Sequence, residues 1–193
     1  PDRYATAAKV LEARFSGYSG PVFVATGANF PDALSGGAAA AAIDGPIVLA
    51  TASDVPDATI GALARLTPTS FVLLGGPSAL GAGVLDEITA RYPGVPVSRW
   101  SGADRYATSA AISARTIPSR ADTVFLATGA NFPDALAGVP AAGLAAGPLL
   151  LTTRTCLPPV AYLELRRLDP ATVVILGGAG VVVGSAPTSV CGG

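Results

Sequence analysis

Histidine is absent from this sequence. Its absence removes the commonest general base, any Ser-His-Asp arrangement and most transition-metal sites. Cysteine occurs only twice, at Cys156 and Cys191, and two thiols alone do not make a zinc site. Charge is scarce as well: 13% of residues are charged, and of the twelve basic ones only Lys9 is a lysine. With a net charge of −1 and a pI near 5.3, no global positive field exists to hold nucleic acid, which is disfavoured as a partner. No apolar run approaches the roughly 20 residues that a membrane-spanning helix needs, so no span is expected. Methionine is missing too, the chain opens on Pro1, and no signal peptide is visible. Those features read as a processed or excised piece of a longer protein.

What is present is apolar and repetitive. Half of the 193 residues are hydrophobic and the mean hydropathy is +0.53, which argues for a well-buried core and against disorder. DRYAT at Asp2–Thr6 returns at Asp104–Thr108, an offset of 104 − 2 = 102. TGANFPDAL at Thr26–Leu34 returns at Thr128–Leu136, Gly45-Pro46 at Gly147-Pro148, and Leu74-Gly75-Gly76 at Leu176-Gly177-Gly178, all at that same offset and without an insertion. Loop lengths drift unless backbone geometry is kept, so the chain reads as two tandem modules, 1–97 and 98–193, the second with a modified C-terminal end.

Within each copy, helix-period and strand-like segments alternate. Tyr4, Ala8, Leu11 and Phe15 share one helical face behind Asp2 as N-cap. Val22–Ala25 predicts a strand, and Pro31 with Asp32 predicts the start of a helix running through Ala42, whose small residues suit close packing on a sheet. Ile47–Ala50 and Phe71–Leu74 read as further strands, 56–66 and Leu80–Tyr92 as helices, and Val95–Trp100 as a fourth strand leading into copy two. Continuous apolar strands joined by helices predict α/β units with mostly parallel sheets, Rossmann-like or flavodoxin-like. Copy two follows this order through Val173–Leu176. After Gly180 it turns to Val, Gly, Ser and Pro, and Val181–Val183 suggests a strand or an extended tail.

TGANFPDAL is the strongest local signal, because it occurs twice at a predicted strand end that opens a helix, where open α/β sheets bind ligands. Thr26, Gly27 and Asn29, with Thr128, Gly129 and Asn131, can form an anion-binding loop through free N–H groups. They can equally be a turn with its cap. Asp32 and Asp134 fit a structural role better, since a carboxylate in the first turn repels an anionic ligand. Arg3 and Arg105 can grip a phosphate or carboxylate, or pair with Asp2, Asp104 or nearby loop carboxylates. Tyr4 and Tyr106 read as core residues. Gly75-Gly76-Pro77 continues into neither a dinucleotide fingerprint nor a P-loop. Asp54 and Asp57 are close in sequence, but their counterparts are Cys156 and Pro159. No catalytic residue, metal site or cofactor is expected.

DRYAT, VFVATGANFPDAL, GPIVL and FVLLGG in order, with SGADRYAT, VFLATGANFPDALAG, GPLLL and VVILGG in copy two, resemble the cell wall binding repeat 2 family over nearly the whole chain. The resemblance implies an extracellular, wall-associated module that anchors Gram-positive surface proteins non-covalently to an anionic secondary polymer of the wall. Such modules accompany autolysins, proteases or surface-layer proteins, and in known members three repeats associate about a pseudo-threefold axis. This chain has two copies and lacks the last helix of the second. Which residues touch polymer is not carried by the motif; Arg3, Arg105 and the loop residues follow from their chemistry. The alternative is a surface-assembly module whose repeats contact protein, and a weaker one is a hydrolase built on Asp and Glu alone. Outside a reducing cytosol Cys156 and Cys191 are expected to pair and staple the irregular tail. Two modules around such an axis would leave an apolar sector, filled by a third repeat or by homo-oligomerisation. A third copy upstream of Pro1 is favoured, because Ser98–Gly102 leads into the second DRYAT and copy one lacks that lead-in.

Overall fold

A computed structural model describes residues 2–192. The first copy runs α1 (Arg3–Phe15), β1 (Ser19–Thr26), α2 (Pro31–Ala42), β2 (Ile47–Ala50), α3 (Asp57–Leu63), β3 (Thr67–Leu74), α4 (Ala82–Arg91) and β4 (Val97–Trp100). The second runs α5 (Arg105–Thr116), β5 (Thr123–Thr128), α6 (Pro133–Leu144), β6 (Leu149–Thr152), α7 (Pro159–Leu168), β7 (Thr172–Ile175) and a short 3-10 turn at Ala186–Thr188. Among the described residues no helix is long and apolar enough to cross a membrane.

Two compact units result. One ends at Ala33 and resumes over Asp44–Trp100; the other takes in Leu34–Ile43 and the chain from Ser101 onward. The first unit holds a parallel sheet in the order β2-β1-β3-β4, the second a parallel sheet in the order β6-β5-β7. That order is flavodoxin-like, with the connections turning in opposite directions on either side of the first strand. The offset of 102 survives in the registers: Phe23 pairs with Ile47 and Phe125 with Leu149, Val22 with Phe71 and Val124 with Val173.

Local chemistry explains the elements. Asp2 Oδ1 accepts from the Ala5 N–H at 2.8 Å and Asp104 Oδ1 from the Ala107 N–H at 2.7 Å, so both copies open on the same cap. Ala8 and Leu11 of α1 are buried with Val22, Val24, Phe71 and Leu73 of the sheet and with Leu80, Val84 and Ile88 around α4. In the second unit Val124, Leu126 and Leu150 pack with Leu157, Ala161, Leu165 and Leu168. Here Glu164 is buried between the Ser113 hydroxyl, at 2.5 Å, and the Arg167 guanidinium, at 2.7 Å. The small residues of α2 meet a helix: Ala41 lies where a side chain on Gly143 of α6 would stand, and a Cβ on Gly37 would come 3.2 Å from Val139.

Two sequence expectations need correction. Strands β1 and β3 start earlier than the expected Val22 and Phe71, at Ser19 and Thr67, and the chain absorbs Pro21 at a register shift between Gly20 and Pro21. Val181–Val183 forms neither strand nor extended tail. Val181 and Val182 donate to the Gly178 carbonyl, Val183 donates to Arg154 O at 2.8 Å, and the 3-10 turn follows. Val182 and Ala186 stand at the sequence positions matching Leu80 and Val84 and are buried as those are, without a helix like α4.

Candidate functional site

In both copies the repeated motif sits at the carboxyl end of the central strand, where the loops after the first and third strands of the copy diverge. Thr26 ends β1 and is buried; its hydroxyl accepts the Ala28 N–H at 3.2 Å. Gly27 donates to Ala50 O at 2.8 Å, which leaves its own carbonyl pointing away from the sheet ladder. That carbonyl receives Arg3 Nη1. The second copy repeats each contact: Thr128 accepts from Ala130 at 3.2 Å, Gly129 donates to Thr152 O at 2.9 Å, and Arg105 Nη1 donates to Gly129 O. The arginines thus hold the motif loop by its backbone, and neither forms the ion pair with Asp2 or Asp104 that the sequence left open. Both arginines remain exposed, so the face of each guanidinium turned from the loop meets solvent.

Glycine is required in this loop for a steric reason. A Cβ at Gly27 would stand 2.6 Å from Tyr4 Cε1, and one at Gly129 would stand 2.6 Å from Tyr106 Cε1. The tyrosine after each arginine therefore lies against the loop, half-buried. Asn29 and Asn131 are exposed, and Asn131 Oδ1 accepts from the Phe132 N–H at 2.9 Å.

The crevice beside these loops, the switch point where related sheets bind cofactors, is occupied by the chain itself. Asp32 Oδ2 lies against Gly75 and Asp134 Oδ2 against Gly177, 2.5 Å from where a Cβ would be. Gly75 and Gly177 take φ of 97° and 99°. The sequence singled out both partners, the Asp of one motif and the glycine of another, but spacing along the chain did not reveal that they meet. It also missed Arg99, whose Nη1 donates to Gly75 O at 2.8 Å and ties β4 to the same loop. None of the repeated motifs contains Arg99.

Asp54 and Asp57 have structural work. Hydrogen bonds from Ser53 and then Thr51, at 2.7 and 2.8 Å, hold the Asp54 carboxyl below its ordinary pKa and shape the turn after β2. Asp57 opens α3. At the matching turn of copy two, Cys156 is bonded to Cys191, with Cα atoms 5.1 Å apart. The expected disulfide is present.

The description "Cell wall binding domain 2 (CWB2)" matches residues 1–85 and 99–186. Among solved structures the chain is similar to Cwp6 from Clostridium difficile, with a TM-score of 0.85 at 24% identity over 96% of this chain and 29% of that one. It is also similar to Cwp8 from Clostridium difficile, with a TM-score of 0.78 at 24% identity over 98% of this chain and 33% of that one. At this identity the likeness concerns the fold, and the chain spans about a third or less of those proteins. No curated protein sequence matches. With the family's pattern running through both copies, this chain belongs to the cell wall binding domain 2 family.

Proposed function

We propose that this chain is a non-catalytic module that anchors a secreted protein to an anionic polymer of the Gram-positive cell wall. As a member of a cell wall binding family it is an extracellular, wall-associated protein. The observation that carries the finer reading is the pairing of Arg3 with the Gly27 loop and of Arg105 with the Gly129 loop. Each pairing presents an exposed guanidinium on a loop that cannot move far, because a tyrosine ring and a buried threonine fix it. A preorganised cation loses little entropy on meeting an anion. Thr26, Gly27 and Asn29, with Thr128, Gly129 and Asn131, shape the two loops. A repeating polyanion meeting two such positions on one chain gains by effective concentration, and salt weakens the interaction.

Retention on purified, protein-free walls tests the proposal. Because each arginine also holds a loop, two double variants are needed. Arg3→Ala with Arg105→Ala removes both the charge and the loop contact; Arg3→Gln with Arg105→Gln keeps an amide donor and removes only the charge. Both are expected to weaken retention about tenfold or more, given what hydrogen bonds to charged groups contribute. Full retention by the folded Gln variant would move the polymer site elsewhere. Retention unchanged on walls stripped of secondary polymer would reject that polymer as the ligand.

One observation favours a second reading, assembly with a further repeat or a second chain. At the N-cap of α6 and along the helix, Phe132, Leu136 and Leu144 are 45%, 57% and 92% exposed. At the matching positions of copy one, Leu34 is buried and Phe30 and Ala42 are half-buried. Sedimentation of the purified chain tests this reading.

A further inference from the structure

The two copies share a backbone at the carboxyl ends of their sheets and differ in the charge it carries. In the turn after β2, Ala52 O accepts the Gly81 N–H at 2.7 Å. In the turn after β6, Arg154 O accepts the Val183 N–H at 2.8 Å, so the offset of 102 holds through this contact. The side chains on that frame are opposite in sign. Copy one's turn carries Asp54 and leads to Asp57 at the start of α3. It is also met by Glu87, which takes the Val55 N–H and pairs with Arg91. The matching residues of copy two are Cys156, Pro159 and Ser189, all uncharged. Where copy one has Ala52, copy two has Arg154.

Arg154 is exposed and held in place. Its Nε donates to Gly180 O at 3.0 Å, and among the described residues it makes no ion pair. That bond uses the inner nitrogen, so the two terminal ones have no protein partner among the described residues. A second guanidinium stands on the next loop. Gly129 N–H donates to Thr152 O at 2.9 Å, so the loops after β5 and β6 leave the sheet side by side, with Arg105 bound to Gly129 O. The carboxylates of Asp104 and Asp134 lie at this end too, but Asp2 and Asp32 match them in copy one, so they do not distinguish the copies. Glu164 and Asp169 of α7 and its C-cap are paired with Arg167 and Arg120. Copy one's Arg99 is half-buried on Gly75 O and belongs to β4, at the opposite edge of its sheet from β2.

We infer that Arg154 is a second anion-binding arginine beside Arg105, and that the carboxyl end of copy two's sheet binds an oxyanion more tightly than the same end of copy one. The ligand class is a group with two anionic oxygens, phosphate or carboxylate, which the terminal nitrogens of a guanidinium grip as a fork. In copy two such a group meets two exposed cations on adjacent loops. In copy one it meets Arg3 with the Asp54 carboxylate on the adjacent turn, where repulsion between exposed charges is felt over about 8 Å at physiological salt. The inference rests on the polymer reading for the source of the anion, and on the residues of the two turns for the difference between the copies.

Nitrogen-15 NMR of the purified chain tests it, with inorganic phosphate and acetate titrated separately at constant ionic strength. Saturable shifts are expected at the Arg154 Nε–H and at the amides of Gly129 and Ala130. Their midpoint is expected at a concentration lower by about threefold or more than at Gly27 and Ala28, the size of one exposed charge contact. The anion that acts at the lower concentration names the group recognised. Arg154→Gln is expected to bring the two loops to the same midpoint. The pair Ala52→Arg with Asp54→Asn is expected to strengthen binding at Gly27 and Ala28, a gain that misfolding does not mimic. Equal midpoints in the unaltered chain, or no response at Arg154 to either anion, overturn the inference. Retention on walls separates it from the polymer reading. A chain that fails to bind walls but keeps the unequal midpoints loses that reading alone. Full retention by Arg154→Gln together with equal midpoints overturns the role of Arg154 and leaves the polymer reading standing.

Discussion

At the scale of single residues, contacts between motifs explain why they are repeated. Gly75 is held at a φ that L side chains rarely adopt, and any Cβ there would collide with the Asp32 carboxylate. Gly75→Ala is therefore expected to destabilise the first unit by about 2 kcal/mol, from the left-handed conformation and the crowding together. The measurement is denaturant unfolding of the single variant, of Asp32→Ala and of the pair. Recovery of part of the loss in the pair would locate the cost in the contact, and strict additivity would refute that contact as its source. The sequence identified the glycine and the aspartate as special residues without joining them. A side chain's reach across a sequence separation of 43 (75 − 32) leaves no periodic trace. The Tyr4 ring against Gly27 was hidden for the same reason.

At the scale of elements, the two copies solve one problem by different chemistry. In copy one, Glu87 of α4 accepts the Val55 N–H at 2.9 Å and pins the turn after β2. In copy two the matching N–H, that of Leu157, goes to the backbone carbonyl of Ser189 at 2.8 Å. Cys191 N–H returns to Leu157 O at 2.9 Å, and the disulfide closes the arrangement. A helix carries its own backbone hydrogen bonds, whereas an irregular tail needs an external restraint, which the covalent bond supplies. With a sequence separation of 35, the chain-entropy model puts its contribution at about 4 kcal/mol. Reduction is expected to lower the melting temperature and to speed hydrogen exchange over residues 181–190 while β1 and β3 are unaffected. Unchanged exchange in the tail after confirmed reduction would show that the backbone bonds suffice. The cysteines were legible because they are the only two. The 3-10 turn was not, because Val181–Val183 has strand propensity and the contact that bends it lies at Arg154.

At the scale of the whole molecule, the exposed apolar row at α6 is the feature that a chain with so little charge has least means to cover. Phe132, Leu136, Pro140 and Leu144 follow one another at four-residue spacing, a ridge suited to packing into another helix surface. Concentration-dependent association is the expected result of analytical ultracentrifugation. Leu136→Glu with Leu144→Glu is expected to leave a monomer of unchanged melting temperature, because both side chains already face water. A monomer at every attainable concentration in the unaltered protein would remove the assembly reading.

What the sequence alone determined is everything that depends on neighbours along the chain. The caps at Asp2 and Asp104, the helix starts at Pro31 and Pro133, the parallel α/β alternation and the duplication at a constant offset all rest on local propensity and pattern. The tertiary structure decided how distant residues meet. It turned Arg3 and Arg105 onto loop carbonyls and set Asp32 and Asp134 against glycines at the switch point. The division follows from the physics of the two kinds of contact. Helix and strand periods repeat within a few residues and mark the sequence, whereas a guanidinium reaching a carbonyl 24 positions away requires only that the folded backbone bring the two within a hydrogen bond.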